Sequence, residues 1–110
     1  MSEKKDLKKH GHPRFYELLD KIAETHSNKN FNYAENGNPL SNLKSSEKYF
    51  NIPAYMGTAI RMADKWERLC QLLKGKKDVV GESVFDTLQD LAVYCLLEII
   101  LIEEGEEKTK

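Results

Sequence analysis

The sequence predicts an all-α fold, a small helical bundle of three main helices with a long Asn-rich loop, completed by oligomerisation. Apolar residues recur at helical spacing in three segments, no segment has the pattern of a strand, and Asn, Gly and Pro concentrate between the first two helical segments. The 110 residues allow one domain with a modest core. We therefore expect a flexible tail over 1–11, a single domain over 12–104 and a flexible tail over 105–110.

The first helix is predicted over residues 13–27. Pro13 suits the first helical position, where the missing N–H would have no intrahelical partner, and His12 is expected to cap the helix. The apolar face comprises Phe15, Leu18, Leu19, Ile22, Ala23 and His26. From Asn28 to Asn51 the pattern fails, and asparagines with Gly37 predict a turn-rich loop that contains a short helical turn near 46–50.

The second helix is predicted from Pro53 to about Lys74, with Gly75 in the usual position just beyond a helix end. Its predicted apolar face comprises Ala59, Met62, Ala63, Trp66, Leu69, Cys70 and Leu73. The charged residues Arg61, Asp64, Lys65 and Arg68 recur on the opposite side. Taken alone, such spacing indicates a solvent-exposed face with an ion pair between Asp64 and Arg68.

The third helix is predicted over residues 82–103, and it carries the most informative pattern. Glu82, Asp86 and Asp90 share a face that continues as the apolar residues Val93, Leu97 and Ile100, whereas Ser83, Thr87 and Glu98 mark the polar side. Like charges at this spacing repel one another, and partial burial would cost more. The acidic face therefore requires a cation, either Arg or Lys from another helix or a divalent metal.

The second half of this helix is apolar around most of its circumference, more than a three-helix monomer can cover. We therefore predict a homo-oligomer through residues 88–102.

Composition excludes several classes of partner. A net charge of −1 argues against electrostatic binding to nucleic acid. Residues 91–102 are too short, and interrupted by Glu98, to span a membrane, and the charged N-terminus is no secretory signal. Cys70 and Cys95 lie within apolar helical patterns, as reduced, buried thiols of a cytoplasmic protein do.

A set of motifs in order resembles the nucleotide modification-associated domain family of phage and bacterial proteins, over about residues 12–103. The motifs are His12-Pro-Arg-Phe-Tyr-Glu-Leu-Leu, Lys29-Asn-Phe-Asn-Tyr33-Ala, Pro39-Leu-Ser-Asn-Leu, Ile52-Pro, Arg61-Met-Ala-Asp-Lys65-Trp-Glu-Arg-Leu69 and Glu82-Ser-Val-Phe-Asp-Thr-Leu-Gln-Asp-Leu-Ala-Val-Tyr94. The family has Asp before the tyrosine where this chain has Asn32, so a charge is lost there. The resemblance implies a role in nucleotide metabolism.

A looser similarity is to the all-α nucleoside triphosphate pyrophosphohydrolases of the MazG and dimeric dUTPase type, in which acidic residues on adjacent helices hold Mg²⁺. The similarity implies a Mg²⁺-dependent (deoxy)nucleoside triphosphate pyrophosphohydrolase. Its catalytic residues would be Asp86 and Glu82, its metal ligands Glu82, Asp86 and Asp90, and its substrate-binding residues Arg61, Asp64, Lys65, Lys29, Asn32 and Tyr33.

Two alternatives use the same residues. The protein could bind a nucleotide, or another protein, without catalysis. Arg61 and Lys65 could also simply neutralise Asp86 and Asp90 across a helix pair, in an ion network that fixes the register of the helices. The residues by themselves do not decide among these functions.

Overall fold

The computed structural model describes residues 10–33, 40–75 and 83–109, and for 30–33 and 107–109 it describes the backbone alone. This part of the chain contains four α-helices and one 3-10 helix, and no strand. In chain order they are α1 (Pro13–Tyr33), the 3-10 helix (Ser41–Leu43), α2 (Ser45–Phe50), α3 (Ala54–Leu73) and α4 (Val84–Thr109). The predicted all-α class is confirmed for the described residues.

The chain divides into two compact units, Met1–Tyr33 and Ala34–Lys110. Helix α1 belongs to the first unit, and the remaining helices belong to the second. Each unit is described by itself, so a single domain over 12–104 stays a prediction.

Helix α1 begins as predicted and ends later than predicted. Pro13 is its first residue, and the His12 Nδ1 atom accepts a hydrogen bond from the Arg14 N–H at 3.0 Å, which confirms the cap. The helix continues to Tyr33, six residues beyond the predicted end. Asparagine costs only about 0.7 kcal/mol in a helix, and no Gly or Pro interrupts this segment. The first part of the predicted loop is therefore helical, and residues 34–39 lie outside the described residues.

The short helix α2 is confirmed where a helical turn was expected. It ends at Asn51, whose φ of 55° lies in the left-handed region that asparagine tolerates. A Glu47 carboxylate oxygen then accepts the Ala54 N–H at 3.1 Å and caps the start of α3. A Cβ atom on Gly57 would lie 2.6 Å from the Ser46 Cβ, so α2 packs tightly on the first turn of α3.

Helices α3 and α4 are antiparallel neighbours. The side chains of Lys65 and Asp90 form an ion pair. Ala54, eleven residues before Lys65, packs in the same buried cluster as Leu101, eleven residues after Asp90. The two helices therefore run in opposite directions. The cluster consists of Leu40, Leu43, Ala54 and Leu101, with Tyr94 and Leu97 packed against it. This small core joins the 3-10 helix, α3 and α4.

The two long helices end differently. Gly75, with φ of 89°, donates its N–H to the Leu72 oxygen at 3.0 Å, which confirms the predicted stop of α3. Helix α4 instead runs to Thr109, so the flexible tail predicted over 105–110 is helical as far as it is described. The single Gly105 costs only about 1 kcal/mol, and the neighbouring glutamates are good helix formers.

The predicted apolar and polar faces are partly reversed on α3, and one residue of the predicted polar side of α4 is buried. On α3, four residues of the predicted apolar face are exposed, Trp66 with 60% of its surface; they are Ala59, Ala63, Trp66 and Leu73. Leu69 is buried as predicted, but Arg61, Lys65 and Arg68, predicted to face solvent, are half-buried. On α4 the predicted polar residue Thr87 is fully buried.

The physical reason for the change on α3 is that the side of this helix that contacts α4 includes Lys65, which pairs with Asp90.

None of the helices in the described part of the chain combines the length and the apolar content that a membrane crossing requires.

Candidate functional site

The candidate site is built around an ion pair between α3 and α4. Lys65 Nζ lies 2.9 Å from Asp90 Oδ2, and the two side chains are 23% and 27% exposed. The prediction that a cation faces the acidic stripe is therefore confirmed for Asp90, and the cation is a lysine from the neighbouring helix. Partial burial strengthens the attraction because less water screens the pair.

Asp86 lies one turn before Asp90 and belongs to a capping box at the start of α4. The Ser83 Oγ atom accepts the Asp86 N–H at 3.0 Å, and Asp86 Oδ2 accepts the Ser83 N–H at 3.3 Å. Asp86 remains exposed to solvent. The sequence carried a signal for this role, because Ser-x-x-Asp before an apolar run is a capping pattern, and the acidic spacing drew attention away from it.

Arg61 has a different partner from the one predicted. Its Nη2 atom donates to the Asn42 carbonyl oxygen and to the Ser45 Oγ, both at 3.4 Å. These long contacts connect α3 to the segment that joins the 3-10 helix to α2. Arg61 is thus engaged with neutral oxygens there, one turn before Lys65 on α3.

The other predicted site residues fall in three groups. Asp64 is exposed on α3. Glu82 lies outside the described residues. Lys29, Asn32 and Tyr33 belong to α1, in the other unit, and an approach of these residues to Lys65 stays a prediction.

The described residues satisfy part of what Mg²⁺ requires. No group of three or more His, Cys, Asp or Glu side chains suited to a metal ion occurs in the described ranges. Mg²⁺ is, however, usually held by one or two carboxylates, with substrate phosphates and water completing its six ligands. Asp86 and Asp90, on successive turns of α4, supply two carboxylates of that kind. Two carboxylates meet only the minimum of this donor set, and a phosphate and water would have to supply the other ligands.

Comparison of the chain with family models, with curated proteins and with solved structures found no match.

Two buried polar atoms at the α3–α4 contact were not predicted as functional. Thr58 Oγ1 and Glu98 Oε1 are both buried and have no hydrogen-bond partner among the described residues. The Lys65–Asp90 register brings Thr58 to the same level as Glu98. Burial raises the pKa of Glu98 above its usual range, because the charged form loses its hydration. The signal in the sequence was an isolated acid inside an apolar run.

An open groove of about 700 Å³ lies at the other end of this helix pair. Its walls come from α2, the start of α3 and the last turns of α4, and they include Tyr55, Glu47 and Glu106. The ion pair between Lys44 and Glu104, at 3.3 Å, lies at its edge. No sequence pattern predicted this groove, because it forms only where three helix ends meet.

Proposed function

We propose that this chain is a nucleotide-associated protein of the cytoplasm, of the kind found in phage and bacterial nucleotide metabolism. Its proposed reaction is the Mg²⁺-dependent hydrolysis of (deoxy)nucleoside triphosphates to monophosphate and pyrophosphate. The observation that supports this proposal is the 2.9 Å contact between Lys65 and Asp90 beside Asp86. It gives one surface a cation for phosphate and two carboxylates for a metal.

Each residue has a role in this proposal. Asp86 and Glu82 are the catalytic acids, and with Asp90 they would hold Mg²⁺. Lys65 binds phosphate oxygens, as a flexible point charge suits. Arg61 and Asp64 border the site on α3, and the substrate-binding roles of Lys29, Asn32 and Tyr33 stay predictions. When bound, Mg²⁺ neutralises phosphate charge and lowers the barrier to attack by water on the phosphoanhydride.

The test measures pyrophosphate and phosphate release from a panel of ribo- and deoxyribonucleoside triphosphates with Mg²⁺ or Mn²⁺. Two variants separate the catalytic role of Asp86 from its capping role. Asp86→Asn removes the charge but keeps an oxygen that accepts the Ser83 N–H. Ser83→Ala removes the cap from α4 but keeps the Asp86 carboxylate.

The expected result is metal-dependent release that Asp86→Asn lowers at least a hundredfold and that Ser83→Ala largely retains. Release that is unchanged in Asp86→Asn would remove the catalytic role of this carboxylate. If no nucleotide is hydrolysed by the wild-type chain, the enzymatic proposal fails and the second candidate below remains.

The second candidate is a module that binds a nucleotide or another protein without catalysis. It is favoured by the ion pair itself, because a Lys65 already held by Asp90 fixes the register of α3 and α4. Equilibrium dialysis with Mg²⁺ and a nucleotide distinguishes the two candidates, since this module predicts retention of nucleotide without release of pyrophosphate.

In either case we propose that the chain forms a homo-oligomer through residues 88–102. This segment of α4 carries exposed apolar side chains, including Leu88, Leu96 and Ile99.

A further inference from the structure

A regular row of exposed apolar side chains runs along α4, and we refer to it as the α4 seam. It consists of Phe85, Leu88, Ala92, Cys95, Ile99 and Ile102. Every member is exposed, and the four large side chains range from 74% for Phe85 to 41% for Ile102. Successive members are alternately three and four residues apart. This is the spacing of the side chains that interlock when two helices pack side by side as a coiled coil.

The contact between α3 and α4 leaves this seam uncovered. The α4 face that meets α3 includes Thr87, Asp90 and Leu101. At 100° per residue, the seam centres roughly 140° away from that face. A helix pair that buries threonine and an ion pair while exposing phenylalanine and isoleucine reverses the usual preference of a water-soluble surface. The seam therefore requires a cover.

The size of the seam suits a second protein chain. Taking roughly 150–250 Å² for each large side chain, the exposed parts of the six residues sum to roughly 500 Å² per chain. Two such surfaces bury roughly 1,000 Å², which is the minimum for a biological interface, and exposed Leu96 beside the seam adds to it.

The length of the seam suits a second α4. From Phe85 to Ile102 the seam spans about 26 Å. A second copy of α4 matches the seam from end to end.

Charge decides the direction of the two helices. The C-terminal end of α4 carries Glu103, Glu104 and Glu106, whereas the exposed acid Asp86 at the N-terminal end lies on the side of the helix away from the seam. A parallel pair would bring the acidic ends of both copies together, and like charges at short range repel. An antiparallel pair separates them and places each acidic end near the positive N-terminus of the partner helix.

We infer that the α4 seam pairs with the same seam of a second copy in antiparallel orientation, with Phe85 opposite Ile102 of the other copy and Ala92 opposite Cys95. This inference rests on the self-association proposed above and adds its orientation and register. It is independent of the proposed nucleotide chemistry.

The first test uses two substitutions of the same kind on neighbouring residues. Ile99→Glu introduces a charge in the seam, and Ile100→Glu introduces it at a similarly exposed position outside the seam. By sedimentation equilibrium, the wild-type chain and Ile100→Glu should be dimers, and Ile99→Glu should have a dissociation constant at least tenfold higher with unchanged helicity by circular dichroism. Equal dissociation constants for the two variants would overturn the inference.

A second test determines the orientation without disturbing a large seam residue. A spin label is attached to Glu103→Cys in a chain that also carries Cys70→Ala and Cys95→Ala. Antiparallel pairing places the two labels about 30 Å apart, whereas parallel pairing places them about 10 Å apart. A distance near 10 Å would overturn the antiparallel seam and leave the proposed self-association standing.

A monomeric wild-type chain would overturn both the inference and the proposed self-association, with pyrophosphate release remaining as the separate test of the enzyme. In that event, alkylation of Cys95 shows whether the seam is covered within the chain. A monomer in which Cys95 resists alkylation would show that the seam is covered within the chain and would exclude a second copy.

Discussion

Replacing Asp90 with Asn should lower the free energy of unfolding by about 1–2 kcal/mol, because Lys65 loses its charged partner. Two unit charges about 4 Å apart attract by about 4 kcal/mol at an effective dielectric constant of 20. Much of this is offset by lost hydration, since both side chains are about three-quarters buried. The net value should lie between the roughly 0–1 kcal/mol of an exposed pair and the roughly 3–5 kcal/mol measured when one partner of a fully buried pair is removed.

A double-mutant cycle isolates this pair. Urea unfolding followed by far-UV circular dichroism is measured for the wild type, Asp90→Asn, Lys65→Met and the double variant. Protein concentration is held fixed, since self-association would make the measured stability depend on it. Glu67→Gln, at an exposed position of α3, is the control and should change the free energy of unfolding by less than about 0.5 kcal/mol.

The expected coupling energy is about 1 kcal/mol or more in favour of the pair. A coupling energy within about 0.3 kcal/mol of zero would refute the reasoning, because the 2.9 Å contact would then contribute nothing to stability. The same variants bear on function. If the variants lose stability but still bind nucleotide, the ion pair is structural. If they keep their stability but no longer bind nucleotide, the result supports the proposed site.

Three further changes test other contacts. Ser83→Ala should lower the free energy of unfolding by about 1 kcal/mol in urea titrations, because α4 loses its capping oxygen; an unchanged midpoint would contradict the cap. Gly57→Ala should lower the melting temperature, because the new Cβ would clash with Ser46. A higher melting temperature would show instead that α2 moves to make room for the Cβ. The raised pKa of Glu98 means that the folded chain holds this proton more tightly than the unfolded chain. Protonated Glu98 therefore contributes to the free energy of unfolding below about pH 4, and this contribution is lost as the pH rises through the folded-state pKa. Glu98→Gln should remove this pH dependence when the free energy of unfolding is measured as a function of pH.

Local chemistry predicted where helices begin and stop. Pro13 starts α1 and Gly75 follows α3, because a missing N–H and a positive φ are properties of single residues. The ends of α1 and α4 were predicted too early, since Asn28 and Gly105 weaken a helix without ending it. A weak breaker is overruled when its neighbours continue the hydrogen-bond ladder.

The arrangement of the helix faces could not be predicted in the same way. Spacing identifies an apolar face on α3, but it does not say which neighbour that face meets. Trp66 stands exposed and Lys65 is largely buried because α4 approaches the side where Asp90 can pair with the lysine. The need for a cation opposite the acidic stripe was predictable from charge alone, whereas the choice of Lys65 over Arg61 depended on Asn42 and Ser45, which engage the arginine.

The acidic face of α4 is held at two points by unrelated interactions. Asp86 is positioned within α4 by Ser83, and Asp90 is positioned across the helix pair by Lys65. Ser83 and Asp90 lie about 10 Å apart along α4, so in the free protein the effects of Ser83→Ala and Lys65→Met on stability should add to within about 0.5 kcal/mol. A magnesium-bound nucleotide that contacts both carboxylates links the two points. The affinity for a nucleotide that binds is then measured in the presence of Mg²⁺ for the two single variants and for the double variant. We expect their effects on this affinity to be non-additive. Strictly additive effects would mean that no single ligand contacts both Asp86 and Asp90.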